Sequence, residues 1–205
     1  MEFIVYSSQT SKEILDKHNI VISPEAQVAE GVKMYSGVKV LGESAVCSGC
    51  QLHSNAEIVD SEIGANCKIF SGKINNCHIQ SGAMIKPFVY MLNSDVGENC
   101  VVGNFSCINQ STIGLNCQVG SLCSINNVDA GNNLTVNSGA CCEAENGSAI
   151  NIGDNVIIGT NASLIKAVVI SDDVQIEPNC VISKDIDVGQ IATCNNKQVN
   201  KSVKR

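Results

Sequence analysis

Between residues 152 and 182 an aliphatic side chain falls at Ile152, Ile158, Leu164, Ile170, Ile176 and Ile182, one every sixth position. An amphipathic helix repeats at about 3.6 residues and a half-buried strand at about 2, so neither a helix bundle nor an ordinary sheet writes this pattern. The same step carries Val28, Met34, Val40, Val46, Leu52 and Ile58 near the start of the chain. In the middle some steps shorten to five, among them Ile58 to Ile63, Ile74 to Ile79, Met91 to Val96 and Ile108 to Ile113. Two residues before each aliphatic stands a second and mostly small residue, including Cys50, Ala56, Ser61, Cys67, Gly72, Cys77, Ala83, Cys100, Ser106, Ser111, Cys117 and Cys123.

A chain that turns an aliphatic inward every six residues is read as a parallel β-helix. Each hexapeptide is one short side of a triangular prism, three sides make a coil of about 18 residues, and coils stack at the ~4.8 Å strand spacing. From Pro24 to Gly189 this gives about nine coils. The left hand follows from the repeat class. Asn and Gly after the aliphatic suit corners that need a positive φ. Ile74, Met91, Ile108, Ile125 and Cys142 stand 17 residues apart, so the shortened side recurs on one face. That register stacks Asn76, Asn93, Gln110 and Asn127 in one column, where side-chain amides can bond from coil to coil. The chain divides into an N-terminal cap segment (1–23), the prism (24–190) with a loop extruded at 143–149, and a basic tail (191–205). The stretch Ser11–Asn19 reads as a short helix with Ser11 as its N-cap.

Composition fits a narrow, repetitive interior: there is no Trp and only 3% of residues are aromatic. The formal net charge is −7, and four of the 13 basic residues (Lys197, Lys201, Lys204, Arg205) lie in the last nine positions. The body is therefore strongly acidic, which speaks against a nucleic-acid surface. Arg205 is the only arginine, so the body has no guanidinium fork for a phosphate. No apolar run approaches the roughly 20 residues that span a bilayer, and the start lacks a basic region followed by a long apolar one. A cytoplasmic protein without a membrane partner is expected, with its 12 cysteines as free thiols.

Cys47-Ser-Gly-Cys50 has the spacing of a redox or zinc motif, but in repeat phase Cys50 points inward and Cys47 outward. The inward cysteines are expected to act as compact apolar filler, with Cys100 and Cys117 adjacent in one column. His18 falls outside the coils, and His53 and His78 point outward from different sides, so no metal is expected.

From about Pro24 to Lys201 the chain resembles the C-terminal acetyltransferase domain of the bacterial bifunctional UDP-N-acetylglucosamine pyrophosphorylase/glucosamine-1-phosphate acetyltransferase. The resemblance rests on IVDSEIGANCKI (58–69), IKPFVY (85–90), Gly103-Asn104-Phe105, STIGLNCQVG (111–120), the 143–149 loop ahead of INIGDNVIIG, and QVNK (198–201). It implies a homotrimer that binds acetyl-CoA or another acyl-CoA between adjacent prisms, a small-molecule acceptor, a histidine general base, and cations on the sugar phosphate. Matching motif to motif, Ser121 stands where the family has its histidine. Tyr90 and Leu92 stand for its arginines, Asn109 for its lysine, and Ala144-Glu145-Asn146 for its Asn-Tyr-Asp loop. Thr160, Lys166 and Pro178 fall at the coenzyme side, where proline offers no N–H. Two functions follow from this resemblance: an acyl-CoA-dependent transferase acting on a different acceptor, or a non-catalytic trimeric binding or scaffolding relative that has lost the base and the sugar-phosphate clamps.

Overall fold

The computed structural model describes residues 19–144, 148–194 and 198–202. It is an all-β, left-handed parallel β-helix of about ten coils. The first face holds ten strands, from β1 (Val21–Ile22) to β28 (Val181–Ile182); the second holds nine, from β2 (Gln27–Val28) to β26 (Val169–Ile170). The third runs from β3 (Lys33–Met34) to β29 (Gln190–Cys194) and ends on β30 (Gln198–Ser202). Every pairing is parallel except β29 with β30.

The sixfold aliphatics fill the interior. Met34, Leu52, Ile58, Ile69, Ile85, Met91, Ile108 and Ile125 are fully buried in one continuous core. Burying each contributes about 1.5–3 kcal/mol, and each touches only its own coil and its neighbours, so stability accrues by stacking. The 17-residue register is also observed: Met91 pairs with Ile108, Ile108 with Ile125 and Ile125 with Cys142.

The structure moves both ends of the prism. The first coil starts before Pro24, since Ile20 and Ile22 are already buried. At the other end the chain stays in register beyond residue 190, because Ile191 and Ala192 continue the ladder beside Gln175 and Ile176. Residues 198–202 then fold back antiparallel on that strand, which covers the last open edge of the third face. The expected N-terminal helix, Ser11 included, lies outside the described residues.

Corners are built from residues with positive φ. Asn66, Asn99, Asn116, Asn133 and Asn155 line one corner, each donating its N–H to a carbonyl of the preceding coil at 2.8–3.0 Å. Asparagine tolerates this conformation, whereas a bulky side chain costs about 1–2 kcal/mol there. Side chains extend the stacking: Asn76 donates to Asn93 (2.8 Å), as the register predicts, and Asn133 donates to Asn155, which donates to Asp173 (both 3.0 Å).

Inside, hydroxyls and thiols do the same work. Ser111 Oγ donates to Asn109 O (2.7 Å) and accepts from Val128 N (3.0 Å). Cys100 Sγ donates to Gly114 O (3.0 Å) and accepts from Cys117 N (3.3 Å). The inward cysteines are thus more than apolar filler: the Cys100 thiol bonds two backbone groups of the following coil. All 12 cysteines are free.

Outside, Tyr35, His53 and Phe70 stack ring on ring, with centroids 4.8 and 4.2 Å apart. Burial, then the nearby Lys68, holds the His53 imidazole below its ordinary value.

Two measurements check this account. Ile108→Ala, which empties a fully buried site, is expected to lower unfolding free energy by about 2–5 kcal/mol in a denaturant titration. Because the folded pKa of His53 is depressed from 6.5, the unfolded chain binds the proton more readily. The stability it supplies is full above about pH 6.5 and is lost as pH falls toward the folded value. His53→Phe keeps the stack and should melt with a smaller loss than wild type between roughly pH 7.5 and roughly pH 5.5; equal losses would remove His53 from the explanation.

Candidate functional site

The outward side chains of the first face form two columns set by strand register. One runs Lys39, Glu57, Lys73, Tyr90, Cys107, Ser124, Cys141; the other runs Leu41, Val59, Asn75, Leu92, Asn109, Asn126, Glu143. At the head of the first column Glu57 bridges Lys73 (2.9 Å) and Lys39 (3.3 Å). The lysines hold the Glu57 carboxyl below its ordinary range. Both cations are thereby engaged away from the coils that follow.

The second column ends in a directed chain of hydrogen bonds. Asn109 Nδ2 donates to Asn126 Oδ1 (3.0 Å), and Asn126 Nδ2 donates to Glu143 Oε1 (3.2 Å). A carboxylate only accepts, so Glu143 fixes the orientation of both amides. The cost falls at the far end, where Asn109 Oδ1 is buried without a hydrogen-bond partner. Glu143 is the last residue of β22 (Cys141–Glu143), at the root of the extruded loop. The loop holds its place because Val128 pairs with Ile150 on its far side, 22 residues on, so the coil resumes in register. Burial first, and then the Glu143 charge, pushes the half-buried Cys107 and Cys141 thiols up.

At the corner between the third and first faces, Ser121 is half-buried; its N–H donates to Ser138 Oγ (3.2 Å) and its carbonyl accepts from Gly139 N (2.9 Å). Gly120 precedes it because a Cβ there would lie 2.5 Å from Ser138 N. Thr160 and Pro178 follow in the same corner, both exposed, with Thr160 O accepting from Asn179 N (2.9 Å). The structure therefore gathers Ser121, Thr160 and Pro178 along one edge of the first face and sets Tyr90 and Asn109 on the face itself. Lys166 is exposed beyond the opposite edge, after β25 (Ser163–Leu164), and so does not join Thr160 and Pro178. Glu145 and Asn146 lie outside the described residues.

No histidine stands beside Ser121 among the described residues. His53 is held in its ring stack. His78 is on the second face, where Nδ1 lies 3.0 Å from Glu62 Oε2 in a shallow acidic hollow shared with Asp60, Asn76, Asn93 and Asp95. Also among the described residues, no three His, Cys, Asp or Glu side chains gather as a metal site. Sequence reading did not bring Asn126, Cys107 and Cys141 together with Glu143. The 17-residue step from Asn109 to Asn126 to Glu143 was the signal that could have found the amide chain.

No protein-family model matches the chain. It is 30% identical over 191 residues to the bifunctional protein GlmU of Clostridium novyi, covering 91% of this chain and 42% of that protein. It is 29% identical over 193 residues to the protein of the same name from Caldicellulosiruptor saccharolyticus, again spanning 42% of its length. The chain thus spans less than half the length of these relatives. Among solved structures it resembles UDP-N-acetylglucosamine acyltransferase from Campylobacter jejuni, with a TM-score of 0.59 and 17% identity over 89% of this chain and 74% of that one. At that identity the likeness is one of fold.

Glu143→Gln removes the charge beside Cys107 and Cys141. Their alkylation by iodoacetamide near neutral pH, followed site by site by mass spectrometry, is expected to rise about two- to threefold as thiolate becomes easier to form. Exposed Cys47 serves as the internal reference.

Proposed function

We propose, on the premise that this chain is a hexapeptide-repeat acyltransferase-family protein related to the bifunctional protein GlmU, that it transfers an acyl group from acyl-CoA to an acceptor bearing an amine or hydroxyl but no phosphate. The observation that carries this reading is the Asn109–Asn126–Glu143 chain. Where the resemblance calls for a lysine, the face presents an amide whose orientation is dictated by a carboxylate. A phosphate would meet that carboxylate without a facing cation, whereas an amine or hydroxyl donates to it.

Proton transfer is the second consideration. With Ser121 in the position of the base, the protein contributes orientation: an amine that is already neutral attacks the thioester carbon to form the C–N bond, the C–S bond breaks, and the departing CoA thiolate takes up the proton that the nitrogen loses. Holding two reactants in contact supplies a large share of such a barrier without a general base. The pH profile then follows the acceptor's own amine rather than an enzyme group. The resemblance makes the working unit a homotrimer with the coenzyme between prisms, and a cytoplasmic place is the expectation from the sequence. Thr160 and Pro178 line the coenzyme side, and Lys166 lies across the face from them.

The alternative is a non-catalytic binding relative, favoured by the joint replacement of base and clamp at Ser121 and Asn109. Thermal shift separates the two readings, using acetyl-CoA, CoA, UDP-N-acetylglucosamine and glucosamine-1-phosphate as probes. The transferase reading expects acetyl-CoA to raise the melting temperature by a few degrees at about 100 times its Kd, with no shift from glucosamine-1-phosphate. It also expects acetylation of glucosamine to exceed that of glucosamine-1-phosphate. Binding without turnover of any amine supports the alternative, and a preference for the phosphorylated sugar defeats the proposal.

A further inference from the structure

Among the described residues, three pairs of thiols lie within hydrogen-bonding reach of each other: Cys50 with Cys67, Cys100 with Cys117, and Cys180 with Cys194. The first two pairs are sealed between coils, all four side chains being 0–1% exposed, so a dissolved oxidant reaches neither member. The third pair sits at the end of the prism. Cys180 fills the small inward slot ahead of β28 and is buried. On the third face β29 runs beside β27 (Gln175–Ile176), with Ala192 opposite Ile176, and Cys180 Sγ donates to the Ala192 carbonyl (3.7 Å). Alternate side chains of a strand share a face. Cys194, two residues after buried Ala192, therefore turns inward as well, and it packs against the end of the core. It is only half-buried, because antiparallel β30 follows β29 in place of another parallel coil.

This pair stands at a weak joint. The ladder that ties β29 to the coil before it is two residues long, Gln175–Ile191 and Ile176–Ala192, whereas the ladder between β29 and β30 is five residues long. The hairpin that covers the last edge of the third face is thus held to itself better than to the prism.

We propose that Cys180 and Cys194 form a reversible disulfide that locks β29, and with it β30, onto the last coil under oxidising conditions. Access sets the order of events. Cys194 is the member that solvent reaches. Burial first, and then the neighbouring Cys194 thiol, pushes the Cys180 thiol up to about 12, so Cys180 reacts second. The Cys194 thiolate attacks one sulfur of a small disulfide such as glutathione disulfide; the oxidant's S–S bond breaks and one glutathione thiolate leaves. Cys180 then gives up its proton and attacks Cys194 Sγ of the mixed disulfide, which forms the Cys180–Cys194 bond and expels the second glutathione. Two protein thiols are oxidised, one glutathione disulfide is reduced to two glutathiones, and the two protons pass to the departing thiolates.

The test equilibrates the full chain in glutathione buffers of rising oxidised fraction, quenches it with iodoacetamide under denaturing conditions, and maps it by mass spectrometry without reduction. The expected product is a Cys180–Cys194 cross-link, lighter than the reduced chain by two hydrogens, with Cys100 and Cys117 still alkylated. Cys180→Ser is expected to trap Cys194 as its mixed disulfide with glutathione, and Cys194→Ser to abolish the cross-link. The half-buried position of Cys194 keeps the second variant informative if the first does not fold. The oxidised wild type should melt about 5–10 °C above the reduced form, and amides of β29 and β30 should exchange more slowly. Dithiothreitol and Cys194→Ser should each erase both differences. A wild type whose Cys194 stops at the glutathione adduct, or whose Cys100 and Cys117 oxidise as readily as Cys180 and Cys194, overturns the pair. A cross-link that leaves melting and amide exchange unchanged overturns the lock.

Discussion

Each coil of this protein is held in place by the coil beneath it, through backbone hydrogen bonds that fix strand register and repeat at every corner. That single constraint propagates everywhere else. It sets the distance between outward side chains at one strand spacing and makes any residue 16 to 18 positions away a spatial neighbour. Inside, it forces small residues where the chain bends and aliphatics where it runs straight. Serines and thiols in the small inward slots join in by bonding backbone groups that need a partner. Outside, the same spacing turns scattered residues into ladders: rings at Tyr35, His53 and Phe70, ions at Lys39, Glu57 and Lys73, amides at Asn109 and Asn126.

Function is written on those ladders. On the proposed reading, the first face carries an amide chain ending on Glu143 where the resemblance implies charges. The prism is indifferent to that exchange, because an outward side chain contributes little to the buried core. Scaffold and chemistry are separable in such a fold. The same indifference explains how the extruded loop is inserted at no cost to register, with Val128 and Ile150 pairing across it as if nothing intervened.

The period of six made the prism legible, since a buried aliphatic every sixth residue has few other physical solutions. Corner chemistry was legible wherever Asn or Gly stood, as at Asn76 and Asn93, because those residues announce a positive φ. Phe88, Phe105 and Leu122 announced nothing of the kind: their side chains argue for burial and their backbone does the opposite. The ends were blurred for a related reason. Ile191 and Ala192 follow a four-residue step from Ile182 to Ile186, which breaks the count although the ladder continues. On the first face and its edge, Ser121, Asn109 and Tyr90 were singled out through motif position alone. Glu143 takes its meaning from the amide one coil away, which its place in the sequence alone does not show.

The sequence by itself determined the prism, its inward residues and the absence of a histidine at position 121, because periodicity and identity are properties of the chain read in order. The tertiary structure alone decided which outward groups touch, which of them spend each other's hydrogen bonds, and which apolar side chains are held in solvent. Those outcomes depend on register between coils, and a shift of one residue turns an outward side chain inward.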